Sequence, residues 1–137
     1  MTALEFADAA MAAPGMRWVR WAADWKRREA DCWGLVTLFY RHVHGIDLGP
    51  VPQTDIEAGY WARRGDWPEC DPEPGAAVFM AWQDGAPRHC GVLLPGGMLL
   101  HAEGSEERGG SVRLTRLAAM RRLYLDIRFH RYAGPAC

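Results

Sequence analysis

At 137 residues the chain has the length of one domain, residues 1–137, in which 1–15 read as an N-terminal extension. Hydrophobic residues at 49% and charged residues at 24% describe a globular protein that can bury a core without disulfide staples. A net charge of −1 excludes the basic field of a nucleic-acid binder. No stretch of about 18 apolar residues is present to span a bilayer, so neither nucleic acid nor membrane insertion is expected.

In chain order, the Ala-rich start reads as a short helix stopped at Pro14-Gly15. Glu5 and Asp8 stand where an export signal carries Lys or Arg, so synthesis in the cytoplasm without a signal peptide is expected. Trp18, Trp21, Ala22 and Trp25 recur at helical spacing and predict a helix over Arg17–Glu29 with a core-facing Trp stripe. A second helix is predicted from Cys32 to His44, with Asp31 as N-cap and Gly45 as the stop. Ile46 to Pro74 is rich in Pro and reads as a long irregular segment with a helical turn near Ile56–Arg63. Loops this long often line a functional site.

From Pro74 the pattern changes to strands: Ala77–Trp82, His89–Leu94, Met98–Ala102 and Ser111–Leu114. A helical turn is expected at Leu117–Arg122. A last strand alternates Leu123, Leu125, Ile127 and Phe129 with polar residues. Helices followed by antiparallel strands define an α+β fold.

Cys32 opens a helix, where unpaired backbone N–H groups and the helix dipole favour a thiolate. His89 and His101 bracket the Pro95-Gly96-Gly97 turn, and loop parity decides whether their rings meet. A two-residue loop pairs Val92 with His101 and puts the imidazoles on opposite faces. A three-residue loop pairs Gly91 with His101 and puts both on one face, at a diagonal of ~7–8 Å that the rings can bridge. In that arrangement Gly91 leaves room for the Cys32 helix, and Cys90 points to the other face as a poor rival nucleophile. The joint pattern of a Cys at a helix start and two strand histidines points to nucleophilic catalysis. Cys32, Cys70, Cys90 and Cys137 form no CxxC, and His42 and His44 diverge on a helix, so no metal and no cofactor are expected. Ser105 and Ser111 lie outside any nucleophile elbow.

The segments Asp31-Cys32-Trp33-Gly34-Leu35, Pro74 to Met80, His89-Cys90-Gly91-Val92 and Leu99-Leu100-His101-Ala102 resemble, in order and spacing, the NlpC/P60 family of papain-like cysteine peptidases. The family's corresponding patterns are Asp-Cys-Ser-Gly-Leu, Pro-Gly-Asp-Leu-Val-Phe-Phe, His-Val-Gly-Ile and Phe-Ile-His-Ala. Ser111 to Leu114 and Phe129 to Tyr132 resemble its closing segments. The resemblance implies a papain-like fold with the nucleophile helix packed on an antiparallel sheet. It implies catalysis by Cys32, His89 and His101, and substrate binding by Asp31 and Trp33. The implied substrate is the stem peptide of bacterial peptidoglycan, cut between D-γ-glutamyl and a diamino acid. The Asp-Cys-Trp-Gly-Leu-Val variant is similar to the branch in tails of phages, prophages and gene transfer agents. That branch implies a place in a virion or phage-like tail, tail-tip, hub or baseplate proteins as partners, and action in the periplasm or cell wall. The competing implication is a weak or inactive structural adaptor of the tail tip. Two departures bear on this. Trp33 stands where the family has Ser, and Trp21 lies near the place of a Tyr that serves the oxyanion; losing one such donor costs ~10²–10³ in rate.

Overall fold

The computed structural model describes residues 1–135, so Cys137 lies outside the described residues. The chain opens with α1 (Ala3–Met11). Thr2 accepts from the Glu5 amide at 3.1 Å while the Glu5 carboxylate accepts from the Thr2 amide at 2.9 Å, a reciprocal cap at the helix start. At the other end the Arg28 guanidinium donates to the carbonyls of Ala10, Ala12 and Pro14, the groups a helix C-terminus leaves open.

Residues 17–31 do not form the expected helix. They fold into a ribbon whose strands are β1 (Ala23–Asp24) and β2 (Glu29–Ala30). The Asp24 carboxylate accepts the Arg27 amide at 2.9 Å and turns the chain. Trp21 and Arg28 sit at φ 61° and 60°, a conformation a helix cannot contain. The three tryptophans accordingly part company. Trp25 stacks on Phe6 at 5.2 Å, Trp18 covers Gly104, and Trp21 is exposed.

The chain then enters α2 (Cys32–Phe39), capped by Asp31, and continues as one wide turn, Tyr40–His44, to Gly45 at φ 67°. Leu35, Val36, Leu38 and Phe39 are all buried. Gly34 is where the ribbon crosses this helix: a Cβ there would stand 1.7 Å from the Ala22 carbonyl oxygen. Gly34→Ala, which in an exposed helix gains about 1 kcal/mol, should therefore cost several kcal/mol here. A thermal melt showing an unchanged or raised midpoint would refute that packing.

The irregular segment carries α3 (Ile56–Arg63), capped by Asp55. Next come β3 (Val78–Gln83), β4 (Ala86–Leu94), β5 (Met98–Ser105), β6 (Gly109–Arg116), α4 (Leu117–Leu123) and β7 (Asp126–His130). The five strands form an antiparallel sheet in the order β6-β5-β4-β3-β7. Its alternation sends Met80, Cys90, Val92 and Leu100 to one face, in one core with α1 and α2. Phe79, Leu93, Leu99 and Phe129 go to the other, around Met120 of α4. The last strand starts later than its sequence pattern suggests. Leu123 ends α4, Leu125 is 95% exposed, and His130, expected to face outward, is buried.

Candidate active site

The β4–β5 turn is Pro95-Gly96-Gly97, with both glycines at positive φ, 82° and 71°. The register is Val92 opposite Leu100, Leu93 opposite Leu99 and Leu94 opposite Met98. Continued by one pair, it sets Gly91 against His101. His89 and His101 therefore share a face, and His89 Nε2 lies 2.8 Å from His101 Nδ1. The rings meet edge-on, with centroids 4.9 Å apart. Phe79 packs against both from the same face.

Gly91 is needed for this contact, though not for the approach of α2. A Cβ there would meet the Leu100 carbonyl at 2.3 Å, the Phe79 ring at 2.6 Å and His101 Cβ at 2.9 Å. The expectation that α2 packs on the histidine face is likewise corrected: α2 covers the opposite face, the one that carries Cys90. The two strands are paired only from Val92 to Leu94, and α2 starts beside the part of β4 that precedes this pairing. Cys32, the first residue of α2, thereby neighbours both His89 and Cys90.

Cys32 is a free thiol, 8% exposed, lining an open cleft with Trp18, Arg20, Trp21 and Arg88. Its thiol is held well below the ordinary value by the hydrogen-bonding Cys90 thiol, and then, against the cost of burial, by His89. Cys90 is pushed well up by the same pairing and by its own burial. One thiol of the pair ionises first, and the helix start together with His89 makes it Cys32. Cys90 is thus a poor nucleophile because it stays protonated behind Cys32, not because it points away from the site.

Asp31 accepts the Gly34 amide through Oδ1 and the Trp21 amide through Oδ2, both at 2.7 Å. It fixes the helix start and the ribbon at once. Burial, and next to it the charge of Cys32, raises its carboxyl to about 6 against the pull of these amides. Trp33 turns away from the Cys32 cleft into an adjoining apolar pocket with Val51, Ile56, Trp67 and Met80. There its ring meets Trp67 edge-on at 5.3 Å and lies under the Arg63 guanidinium.

His101 is 1% exposed, and burial first, then His89 and Arg113, lowers it to about 3. It is neutral at ordinary pH, with one ring nitrogen donating and the other accepting. Its Nε2 lies 2.8 Å from Thr115 Oγ1. Sequence reasoning missed Thr115. The signal was available: in β6, opposite β5, Thr115 and Arg113 occupy alternate positions on the His101 face. Tyr124, also missed, lies parallel to the His89 ring at 6.3 Å. Thr115→Val keeps the shape of the side chain and strands one buried ring nitrogen. It should destabilise the fold by about 1–3 kcal/mol in denaturant titration; an unchanged midpoint would show that His101 does not need the hydroxyl.

A free thiol at a helix head, beside a histidine pair on an antiparallel sheet, is the arrangement of a papain-like thiol site. The chain belongs to the NlpC/P60 family, whose model matches residues 18–128. Among solved structures, the NlpC/p60 domain of the peptidoglycan hydrolase SagA superposes with a TM-score of 0.57, at 19% identity, over 96% of this chain and 98% of that one. Among curated proteins, the tail tip assembly protein K of Escherichia phage N15 is 34% identical over 85 residues, covering 52% of this chain. The match spans 34% of that relative's length, about a third of it. Among the described residues no helix is long and apolar enough to cross a membrane.

Proposed function

We propose that this chain is a cysteine peptidase that cleaves peptidoglycan stem peptides from the tail tip of a phage-like particle. The observation that carries the chemistry is the relay Cys32, His89, His101, Thr115. With His101 neutral, the proton order that leaves His89 Nδ1 bare runs from His89 Nε2–H to His101 Nδ1, and from His101 Nε2–H to the Thr115 oxygen. His89 takes the Cys32 proton at Nδ1; Cys32 then attacks the peptide carbonyl as a thiolate, and His89 passes the proton to the leaving amine. His89 next takes a proton from the water that hydrolyses the thioester. His101 orients His89 as the third member of a triad does. The oxyanion is met by backbone N–H at the start of α2, where Trp21 supplies no hydroxyl. Asp31 borders the cleft, and Trp33 shapes the pocket beside it; both act on the bound stem peptide.

The substrate class is supported by the family and by the likeness to a domain of the peptidoglycan hydrolase SagA. The tail is supported by the likeness to the tail tip assembly protein of phage N15. Digestion of purified peptidoglycan, with products read by mass spectrometry, tests the reading. It should release stem fragments with a new amino terminus at the diamino acid. Intact muropeptides after prolonged digestion would favour the adaptor reading instead.

That second reading draws on one observation, the 58% exposure of Trp61 on α3. Trp67, in the same Ile46–Pro74 segment, is 6% exposed and belongs to the core. Trp61 alone is then the anchor for a tail partner. Trp61→Ala should lower incorporation into particles about tenfold or more and leave cleavage by the free chain intact. Full incorporation of the variant would remove Trp61 from the interface.

A further inference from the structure

In the peptidase mechanism Cys90 does no more than support the Cys32 thiolate with a hydrogen bond. It stands where the family pattern has valine, and it is fully buried. Its side chain projects from β4 into the core shared with α2, against the Cys32 thiol at the head of that helix. Cys32 lines an open cleft and Cys90 does not. A small oxidant arriving through the cleft therefore meets Cys32 first, and Cys90 is reached only through Cys32.

We propose that Cys90 is the resolving cysteine of Cys32, capturing an oxidised Cys32 as an internal, reducible disulfide. The proposal rests on Cys32 being the reactive thiol and reaches beyond its role in cleavage. The oxidant class is a hydroperoxide. The Cys32 thiolate attacks one peroxide oxygen; the O–O bond breaks, sulfur gives up two electrons, and Cys32 becomes a sulfenic acid as hydroxide leaves. The Cys90 sulfur then attacks the Cys32 sulfur. An S–S bond forms, the S–O bond breaks, and the hydroxyl leaves with the Cys90 proton as water. A thiol reductant returns both sulfurs. Without a neighbouring thiol, a sulfenic acid is open to further oxidation to sulfinic and sulfonic acid, which such reductants do not reverse.

The two thiols already interact in the reduced protein, Cys90 from β4 and Cys32 from the head of α2, within one buried core. Cys70 is elsewhere, half-buried and packed with the Phe129 core, and its thiol is pushed up by burial and by Glu73. The device suits an enzyme that crosses an oxidising compartment before it acts. The sealed form has no nucleophile, and the reduced form recovers it.

The test treats the full chain with hydrogen peroxide, then maps peptides by mass spectrometry before and after dithiothreitol. The wild type should yield a Cys32–Cys90 crosslinked peptide, lighter by the two thiol hydrogens, with iodoacetamide labelling of Cys32 restored by reductant. Cys90→Ser keeps a buried hydrogen-bond donor and cannot crosslink. Its recoverable Cys32 should fall about tenfold, with sulfinic and sulfonic acid in its place. The wild-type map needs no variant, so a misfolded Cys90→Ser leaves the proposal testable. Equal overoxidation of Cys32 in both proteins, or a crosslink to Cys70, would overturn it. A Cys32–Cys90 crosslink in a protein whose reduced form leaves peptidoglycan intact would overturn the peptidase reading and spare this one.

Discussion

Cys32→Ala should lower kcat/KM on a peptidoglycan fragment by roughly 10⁵–10⁶-fold while the protein remains folded. The size follows from what the thiol does. Loss of a nucleophile removes the covalent route, and what survives is binding and oxyanion contact. The fold should tolerate the change, because the substitution deletes one sulfur at the mouth of a cleft and leaves Leu35, Val36, Leu38 and Phe39 in place. The cost in stability is about 1 kcal/mol. Cys70→Ala is the matched control: its thiol is raised by burial and Glu73, it packs away from the cleft, and its removal should leave the rate unchanged. The same ordering should appear in reactivity. The neighbours that hold Cys32 well below a free thiol make it the first cysteine to take iodoacetamide near neutral pH. A Cys32→Ala protein that keeps a tenth of the wild-type rate, or a wild type in which Cys70 labels first, would remove Cys32 from the chemistry.

The parts of the site governed by parity were legible in the sequence. Pro95-Gly96-Gly97 offers two adjacent residues free to take positive φ, and a three-residue turn is enough to put His89 and His101 on one face. Asp31 before Cys32, and Gly45 thirteen residues on, mark a helix by the chemistry of its ends. Which face that helix covers was not legible. Met80, Cys90, Val92 and Leu100 on one side, and Phe79, Leu93 and Leu99 on the other, are equally apolar, and a strand buried on both faces carries no sign of its partner. The Trp18–Trp25 stripe misled for a related reason. Helical spacing in a short window is also satisfied by a ribbon that sends each ring to a different neighbour. The deciding facts are the positive φ of Trp21 and Arg28 and the hold of Asp31 on the Trp21 amide, which local spacing does not encode. Leu123 and Leu125 alternate as a strand would, yet the first ends the run of α4 and the second is solvent-facing.

Acid should unfold this protein through His101, and His101→Asn should flatten the dependence. An unfolded histidine titrates near 6.5, whereas His101 in the folded chain is lowered to about 3 by burial, His89 and Arg113. Between those values the unfolded state binds more protons than the folded one, so stability rises with pH across the window. The contribution is complete above about 6.5 and is lost as pH falls toward 3. Asp31 works in the opposite direction. Its carboxyl is raised from 3.8 to about 6, so the folded state binds the extra proton and stability falls as pH climbs between those values. From pH 6 down to about 4 the two slopes oppose each other, and below that, of the two, only His101 still acts. Comparing two proteins that share Asp31 cancels its part. From pH 6.5 to 4 the wild type should lose about 3 kcal/mol more than His101→Asn, read as the pH dependence of the urea unfolding free energy. Asn also retains an acceptor for His89 Nε2–H, so part of the activity should survive in the variant. That separates the positioning role of His101 from its effect on stability. Parallel pH profiles for the two proteins would mean that His101 is not held neutral, and with it would fall the proton order that leaves His89 free to serve Cys32.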